Sequence, residues 1–271
     1  MKLLPFLLIV GFYTGVLPAT ESWPQFRGPG GAATAPEGAK IPVEWSESRN
    51  LKWKTSIPGP GSSSPIFTGD RIFVTCYTGY GTDKEAAGDP KELGRRLLCL
   101  DRSNGRILWS RSLEVSNPED PYRGYLMEHG YASSTPVTDG ERVYVFAGKS
   151  GLHAFTLEGD KLWTRAVGNK SSNRRWGSAA SPVLYKNLVI VNAADEARCL
   201  IAFDKVSSEE KWRYGSEGLE LAFATPQFTV GQDGRDEMVL SVPYELPPGS
   251  PRGIRGVRRG PNVSVPPTSV L

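Results

Sequence analysis

The sequence predicts an all-β fold built from a repeated, four-stranded antiparallel unit. Three observations lead there: a strand–turn–strand pattern that recurs along the chain, Asx and glycine turns between short apolar runs, and a tryptophan closing each copy. The composition agrees. Of 271 residues, 39% are hydrophobic and 23% charged, with 30 glycines and 22 prolines, as in a globular chain with many turns.

Residues 1–20 read as an export signal. Lys2 supplies the positive start, residues 3–16 are apolar apart from Pro5, Gly11, Thr14 and Gly15, and small residues near Ala19 offer a cleavage point. The stretch is short for a membrane span, and no later segment approaches eighteen apolar residues. The expectation is an exported protein of the periplasm or extracellular space, with no transmembrane segment after the signal.

Four segments then share a pattern. Ser63-Ser64-Pro65 leads into Ile66-Phe67, a turn at Gly69-Asp70, and Ile72-Phe73-Val74. Ser134-Thr135-Pro136 and Ser181-Pro182 open two further copies that run to Val143-Tyr144-Val145 and Val189-Ile190-Val191. A fainter copy begins at Ala224-Thr225-Pro226. The first three continue into a second hairpin: Leu97-Leu98-Cys99-Leu100 to Trp109, Leu152-His153-Ala154-Phe155 to Trp163, and Leu200-Ile201-Ala202-Phe203 to Trp212. Leu51-Lys52-Trp53 reads as the same closing strand with no inner strands before it.

Such a sheet cannot bury both faces alone, so copies must stack face to face. The proline starts a strand, where a missing N–H costs little. Trp53, Trp109, Trp163 and Trp212 are expected to fill the gaps between neighbouring sheets, each contributing a few kcal/mol, about 2–3, through its buried area. Repeats of forty to fifty residues indicate a β-propeller, with blades near 23–64, 65–131, 132–176, 177–223 and 224–243. About half of a seven- or eight-bladed ring is then present.

The Cys-Leu-Asp or Ala-Phe-Asp strand, the Asn-Gly type turn and the Leu-Trp or Lys-Trp ending resemble the tryptophan-docking repeat of PQQ-like β-propeller proteins. Leu98-Cys99-Leu100-Asp101 through Gly105-Arg106-Ile107-Leu108-Trp109 carries the resemblance best, and Trp23-Pro24-Gln25-Phe26-Arg27-Gly28-Pro29 is similar to the N-terminus of exported bacterial members. The resemblance implies one of two functions. Some members are dehydrogenases that hold pyrroloquinoline quinone and calcium on the axis; others are scaffolds without cofactor, including outer-membrane assembly factors. The dehydrogenases usually carry adjacent cysteines, whereas Cys76, Cys99 and Cys199 lie apart. No cofactor is therefore expected, with the quinone and calcium as the alternative.

Two loops are the candidate ligand funnel. His129, Tyr131 and Ser134 precede the second blade, and Arg174, Arg175 and Trp176 precede the third. Equivalent loops of stacked blades open on one face, so together they offer an imidazole, two guanidiniums and two rings to an anionic or sugar-like small ligand. The plainer reading is that Tyr131 and Trp176 pack the blade edge and the arginines are solvated. His153, on a strand, reads as a packed residue, Cys76 and Cys99 as small core residues, and Asp101 and Asp204 as turn formers.

Catalytic residues are not identifiable, and with only His129 and His153 no metal site is expected. The net charge of +3 resides in the tail, where Arg252, Arg255, Arg258 and Arg259 stand against the single Glu245; the rest of the chain is neutral and gives no sign of a nucleic-acid footprint. Residues 244–271 leave the repeat pattern for Pro, Arg and Gly, consistent with either a frameshifted end or a natural disordered tail. The reading is an exported binding or scaffold module whose open edges are covered by another protein or a second copy. A fragment of a PQQ-dependent alcohol or sugar dehydrogenase is the runner-up.

Overall fold

The computed structural model describes residues 22–243 without 36, 84, 115, 116, 123, 125 and 233, together with 258–259 and 263–264. The expected signal and most of the tail lie outside the described residues. The first sheet runs β1 (Ser22–Trp23), β2 (Ile66–Thr68), β3 (Arg71–Thr78), β4 (Gly94–Asp101) and β5 (Ile107–Leu113). After α1 (Leu126–His129), the second sheet holds β6 (Val137–Thr138), β7 (Arg142–Phe146), β8 (Leu152–Thr156) and β9 (Lys161–Arg165). The third holds β10 (Val183–Tyr185), β11 (Leu188–Ala193), β12 (Cys199–Asp204) and β13 (Glu210–Gly215), with α2 (Ala194–Ala197) between its middle strands. The fourth begins with β14 (Gln227–Val230) and β15 (Asp236–Val239); β16 (Ser241–Val242) pairs β17 (Arg258–Arg259), and β18 (Val263–Ser264) joins β15 as third strand. All these pairings are antiparallel.

These are the blades of a partial propeller. β2 lies against β6 and β6 against β10, so the sheets converge at their first strands. The Ser/Thr-Pro element explains that convergence. Ser64 N–H donates to Thr135 Oγ1 at 2.9 Å, Thr135 N–H to Ser181 Oγ at 3.0 Å, and Ser181 N–H to Thr225 Oγ1 at 3.0 Å. Each residue before the proline thus offers its hydroxyl to the previous blade and its N–H to the next, a ladder around the inner edge. The proline that follows has no N–H of its own to satisfy at this crowded position.

At the outer edge the tryptophans staple one blade to the next. In the first three blades the third and fourth strands slip by one residue at the same place, after Cys99, Ala154 and Ala202. The extra residues, Leu108, Leu162 and Lys211, stand directly before the tryptophan, and such a bulge re-aims the next side chain. Trp109 Nε1 donates to Leu157 O at 3.0 Å, and Trp53 Nε1 to Arg102 O at 3.0 Å. Both rings lie flat on a turn glycine: a Cβ at Gly105 would come within 2.4 Å of Trp53, and one at Gly159 within 2.8 Å of Trp109. Trp163 packs on Tyr144 at 5.9 Å, with no hydrogen-bond partner for its N–H among the described residues; the corresponding carbonyl, Lys205 O, accepts from the Tyr144 hydroxyl instead. Trp212 packs beside Met238 and Phe228 of the fourth sheet.

Between these two edges lie the apolar cores. Phe73, Leu97 and Cys99 meet Val143, Val145 and Phe155 between the first two sheets, and Tyr144, Phe146 and Ala154 meet Val189, Val191 and Ile201 between the next two. Each fully buried large side chain contributes about 1.5–3 kcal/mol. All three cysteines are free and buried.

Three features differ from the repeat pattern. Leu51-Lys52-Trp53 pairs with no strand among the described residues. The N-terminal arm instead runs along the axial side: β1 extends the first sheet beyond β2, Thr138 N–H donates to Pro24 O at 2.9 Å, and Gln227 Nε2 donates to Gly31 O at 3.3 Å. In the tail, β17 and β18 form in proline-free gaps between Pro251, Pro261 and Pro266, where the ladder N–H groups survive. No helix among the described residues is long and apolar enough to cross a membrane.

Candidate functional site

The insertion after β5, the turn between β7 and β8, the loop before β10, and α2 come together at one end of the blades. Arg95, on β4, reaches into this cluster. Its Nε donates to Tyr131 O at 2.7 Å, Nη1 to Ser150 Oγ at 3.0 Å, and Nη2 pairs with Glu119 at 2.9 Å, both side chains 5% exposed. Glu119 Oε1 also accepts the Lys149 N–H at 3.1 Å. A buried pair with its remaining positions hydrogen-bonded contributes little net stability, but removing one partner strands a charge.

Glu196, on α2, is the second buried carboxyl. Ser178 Oγ donates to it at 2.7 Å. A Cβ at Gly148 would stand 3.2 Å from Glu119 Oε1 and 3.2 Å from Glu196 Oε1, so the glycine is what lets the two acids approach. Burial, with smaller contributions from Asp195 and Glu119, pushes the Glu196 pKa up to about 8 despite the Ser178 hydrogen bond. Glu196 therefore carries its proton at neutral pH. Lys149 Nζ pairs with Asp120 at 2.9 Å, and Ser171 Oγ donates to the same oxygen at 2.5 Å. Burial raises the Asp120 pKa, but these hydrogen bonds outweigh it and hold the group below its usual value. Ser172 N–H donates to Asp195 at 3.0 Å.

Beside this cluster is a cleft lined by Thr75, Arg95, Glu119, Tyr131, Ser134 and Ser178, among others, enclosing about 20 Å³. That is room for one or two ordered waters rather than an organic ligand. The Ser134 hydroxyl is buried there with no partner among the described residues.

The sequence-derived funnel residues divide between two places. Tyr131 and Ser134 line the cleft. Tyr131 stacks on Tyr122 with centroids 4.2 Å apart, and its hydroxyl accepts the Tyr122 N–H and donates to Asp120 O. His129 lies behind them, its Nδ1 2.7 Å from Ser133 Oγ, with burial lowering its pKa. Arg174, Arg175 and Trp176 stand outside the cleft. Arg175 Nε is 3.9 Å from Asp120, Arg174 lies 5.9 Å over the Trp176 ring, and Trp176 stacks on Phe223 at 5.8 Å. The two loops meet through Asp120, whose carbonyl accepts from Tyr131 and whose carboxylate faces Arg175.

Arg95, Glu119, Asp120, Lys149, Asp195 and Glu196 were absent from the sequence-derived candidates. A usable signal existed at the link between second and third strands, where one repeat has Gly148-Lys149-Ser150 and the next Ala194-Asp195-Glu196-Ala197. Charges at that matched position face a common end. Arg95 and Glu119 carry no comparable repeat signal.

Converging four-stranded sheets, the Ser/Thr-Pro ladder and the docked tryptophans define a PQQ-like β-propeller repeat protein. Residues 88–220 match the family described as outer membrane protein assembly factor BamB. Similar solved structures include BamB from Moraxella catarrhalis, 14% identical, covering 70% of this chain and 46% of that one with a TM-score of 0.45. Quinohemoprotein alcohol dehydrogenase ADHIIG from Pseudomonas putida HK5 is 16% identical over 72% of this chain and 30% of that one, TM-score 0.42. The quinohemoprotein alcohol dehydrogenase from Comamonas testosteroni is 13% identical over 69% and 29%, TM-score 0.45. The chain spans less than half the length of each of these structures. No curated protein matches it.

The residues at the cleft do not fit a quinone held by calcium. Glu119 is already paired with Arg95, and no group of three or more His, Cys, Asp or Glu among the described residues is arranged to hold a metal. Cys76, Cys99 and Cys199 are buried in three different apolar clusters, so no two of them form the adjacent pair that the dehydrogenase resemblance implies.

Proposed function

We propose that this chain is an exported binding or scaffold module that works without a cofactor and recognises another protein. The observation that carries this reading is the use made of its ionisable groups: Arg95, Glu119, Lys149 and Asp120 are consumed in mutual pairs beside a water-sized cleft. At this cleft these four charged groups face one another rather than the space beside them. The accessible features are of another kind. Ile41, Val43 and Trp45 are 66%, 89% and 76% exposed on one short segment, a concentration of apolar surface that marks a protein contact. Arg174 and Arg175 are also exposed beside Trp176, suited to an acidic group of a partner.

Two measurements test the proposal. Equilibrium dialysis against pyrroloquinoline quinone, with and without calcium, is expected to show no calcium-dependent retention, and dye-linked oxidation of alcohols or sugars no turnover. Retention with turnover would establish the dehydrogenase alternative. Fractionation of bacteria expressing the chain is expected to place it in the periplasm or medium, and deletion of residues 1–20 to keep it in the cytoplasm. Equal distribution of the two forms would overturn export.

A further inference from the structure

The N-terminal arm is built differently from the blades it lies on. We propose that residues 22–33 form a strap that opens independently of the blades and, in opening, bares the inner strand edge of the first one.

The strap touches three blades. Ser22 and Trp23 pair with Thr68 and Phe67 as the innermost strand of the first sheet. Pro24 O then accepts the Thr138 N–H of the second at 2.9 Å, and Gly31 O accepts Gln227 Nε2 of the fourth at 3.3 Å. Among the described residues, its hydrogen bonds to the blades are those of a two-residue strand and these two single ones.

The remaining bonds of the strap are to itself. Gly28 N–H donates to Gln25 O at 2.9 Å, Gly31 N–H to Gly28 O at 3.0 Å and Ala33 N–H to Arg27 O at 2.8 Å. The Trp23 ring lies on Gly28, where a Cβ would stand 2.6 Å from it. Arg27, Gly28, Gly30, Gly31 and Ala33 all have positive φ, between 56° and 73°. Arg27 and Ala33 carry a Cβ, which that region of backbone space disfavours. The strap is thus a small folded unit of its own, strained at two positions.

Burial separates it from the blades in the same way. Of residues 22–33 only Gly28 and Gly31 are buried, so no buried side chain leaves the core when the strap lifts. Residues 37–50 are exposed throughout, and beyond them Trp53 anchors the chain again through Arg102 O. The blades, by contrast, close on fully buried Phe73, Tyr144 and Phe155. Units with few buried apolar contacts open at free energies well below that of global unfolding.

One N–H reports the opening. Thr138 is 3% exposed and its N–H donates to Pro24 O, so it meets solvent when the strap lifts or the blade unfolds. The β2 amides that face Ser22 and Trp23 report the other end of the strap. Freed there, β2 presents unpaired N–H and C=O groups of the kind that accept an extended segment.

Amide exchange in deuterium oxide, followed by NMR on the full chain, tests the strap. Thr138 and the β2 edge amides are expected to exchange together, about a hundredfold faster than the amides of β7. Gly28→Ala sets a methyl against the Trp23 ring at φ +73°. It is expected to speed both sites about tenfold, with β7 exchange and the urea midpoint unchanged. Gly30→Ala, at φ +62° with open space around it, should speed them less. Exchange of Thr138 at the β7 rate in the unmodified chain overturns the proposal, because the arm then parts from the blades only on global unfolding. Unequal acceleration of the two sites by Gly28→Ala overturns it as well, since the arm then frays instead of lifting as a unit. The rates in the unmodified chain decide even if Gly28→Ala fails to fold.

Discussion

Replacing Ser181 by alanine removes one acceptor from the inner ladder and almost nothing else. The side chain is 2% exposed, and its hydroxyl accepts the N–H of Thr135, itself 1% exposed. Alanine keeps the backbone and Cβ, so the apolar packing is unchanged and the Ser181 N–H still reaches Thr225 Oγ1. What remains is a buried donor with no partner, which costs about 1–3 kcal/mol. For a chain of this size each kcal/mol lowers the melting midpoint by about 2–4 °C. Urea unfolding should show a lower midpoint at unchanged slope, with Ser181→Thr restoring most of the loss. Ser103→Ala, in an exposed turn, serves as control. If Ser181→Ala costs no more than that control, or if threonine fails to rescue it, the ladder does not hold the blades together.

Three further outcomes follow from the same contacts. Arg95→Met leaves Glu119 buried without its partner and should cost about 3–5 kcal/mol; Arg95→Met with Glu119→Leu should recover most of it in the same unfolding assay. Trp109→Phe should cost about 1 kcal/mol more than Trp163→Phe, because only the first indole N–H has an acceptor, and equal costs would refute the staple. Glu196 has a folded pKa of about 8, above its unfolded value, so its contribution is full at low pH and is lost as pH rises through 8, at about 1.4 kcal/mol per pH unit. His153, lowered by burial to about 4, acts oppositely and loses stability as pH falls below about 6.5, leaving the window from pH 6.5 to 8 to Glu196. Urea midpoints should fall across that window, and Glu196→Gln should flatten the fall; a flat profile in the unmodified chain would contradict the burial.

How much of this was legible in the sequence depends on whether a feature repeats. Trp53, Trp109, Trp163 and Trp212 stand out because each closes a period-two strand after a polar turn, and each meets a neighbouring blade in the structure. Asp101 and Asp204 read as turn formers because the side chain of each can accept the N–H groups two and three residues on. Asp101 accepts from Ser103, and Asp204 from Val206 and Ser207. The charged cluster has no such local signature. Arg95 meets Glu119 from beyond the β4–β5 hairpin, and Lys149 meets Asp120 from the following blade, so nothing in the spacing announces them. Only Lys149 and Asp195 share a repeat position, and the comparison of strand links that would reveal them requires asking which residues face one end of every blade.

The ladder and the staples also explain how blades with unlike faces stack in one series. Between the first and second sheets the interface is built on Phe73, Leu97 and Phe155; between the third and fourth it is built on Ile190, Leu200 and Met238. The faces share little beyond apolarity, yet the Ser/Thr hydroxyl and the following proline recur at every junction. The fourth sheet makes the point most clearly. Gln227 stands where Ile66, Val137 and Val183 open the first strands of the other blades, but Thr225 still accepts from Ser181. Blade order is thus set at the inner and outer edges, where hydrogen bonds fix position, while the faces supply non-directional burial. This division lets the faces diverge in sequence without loss of stacking.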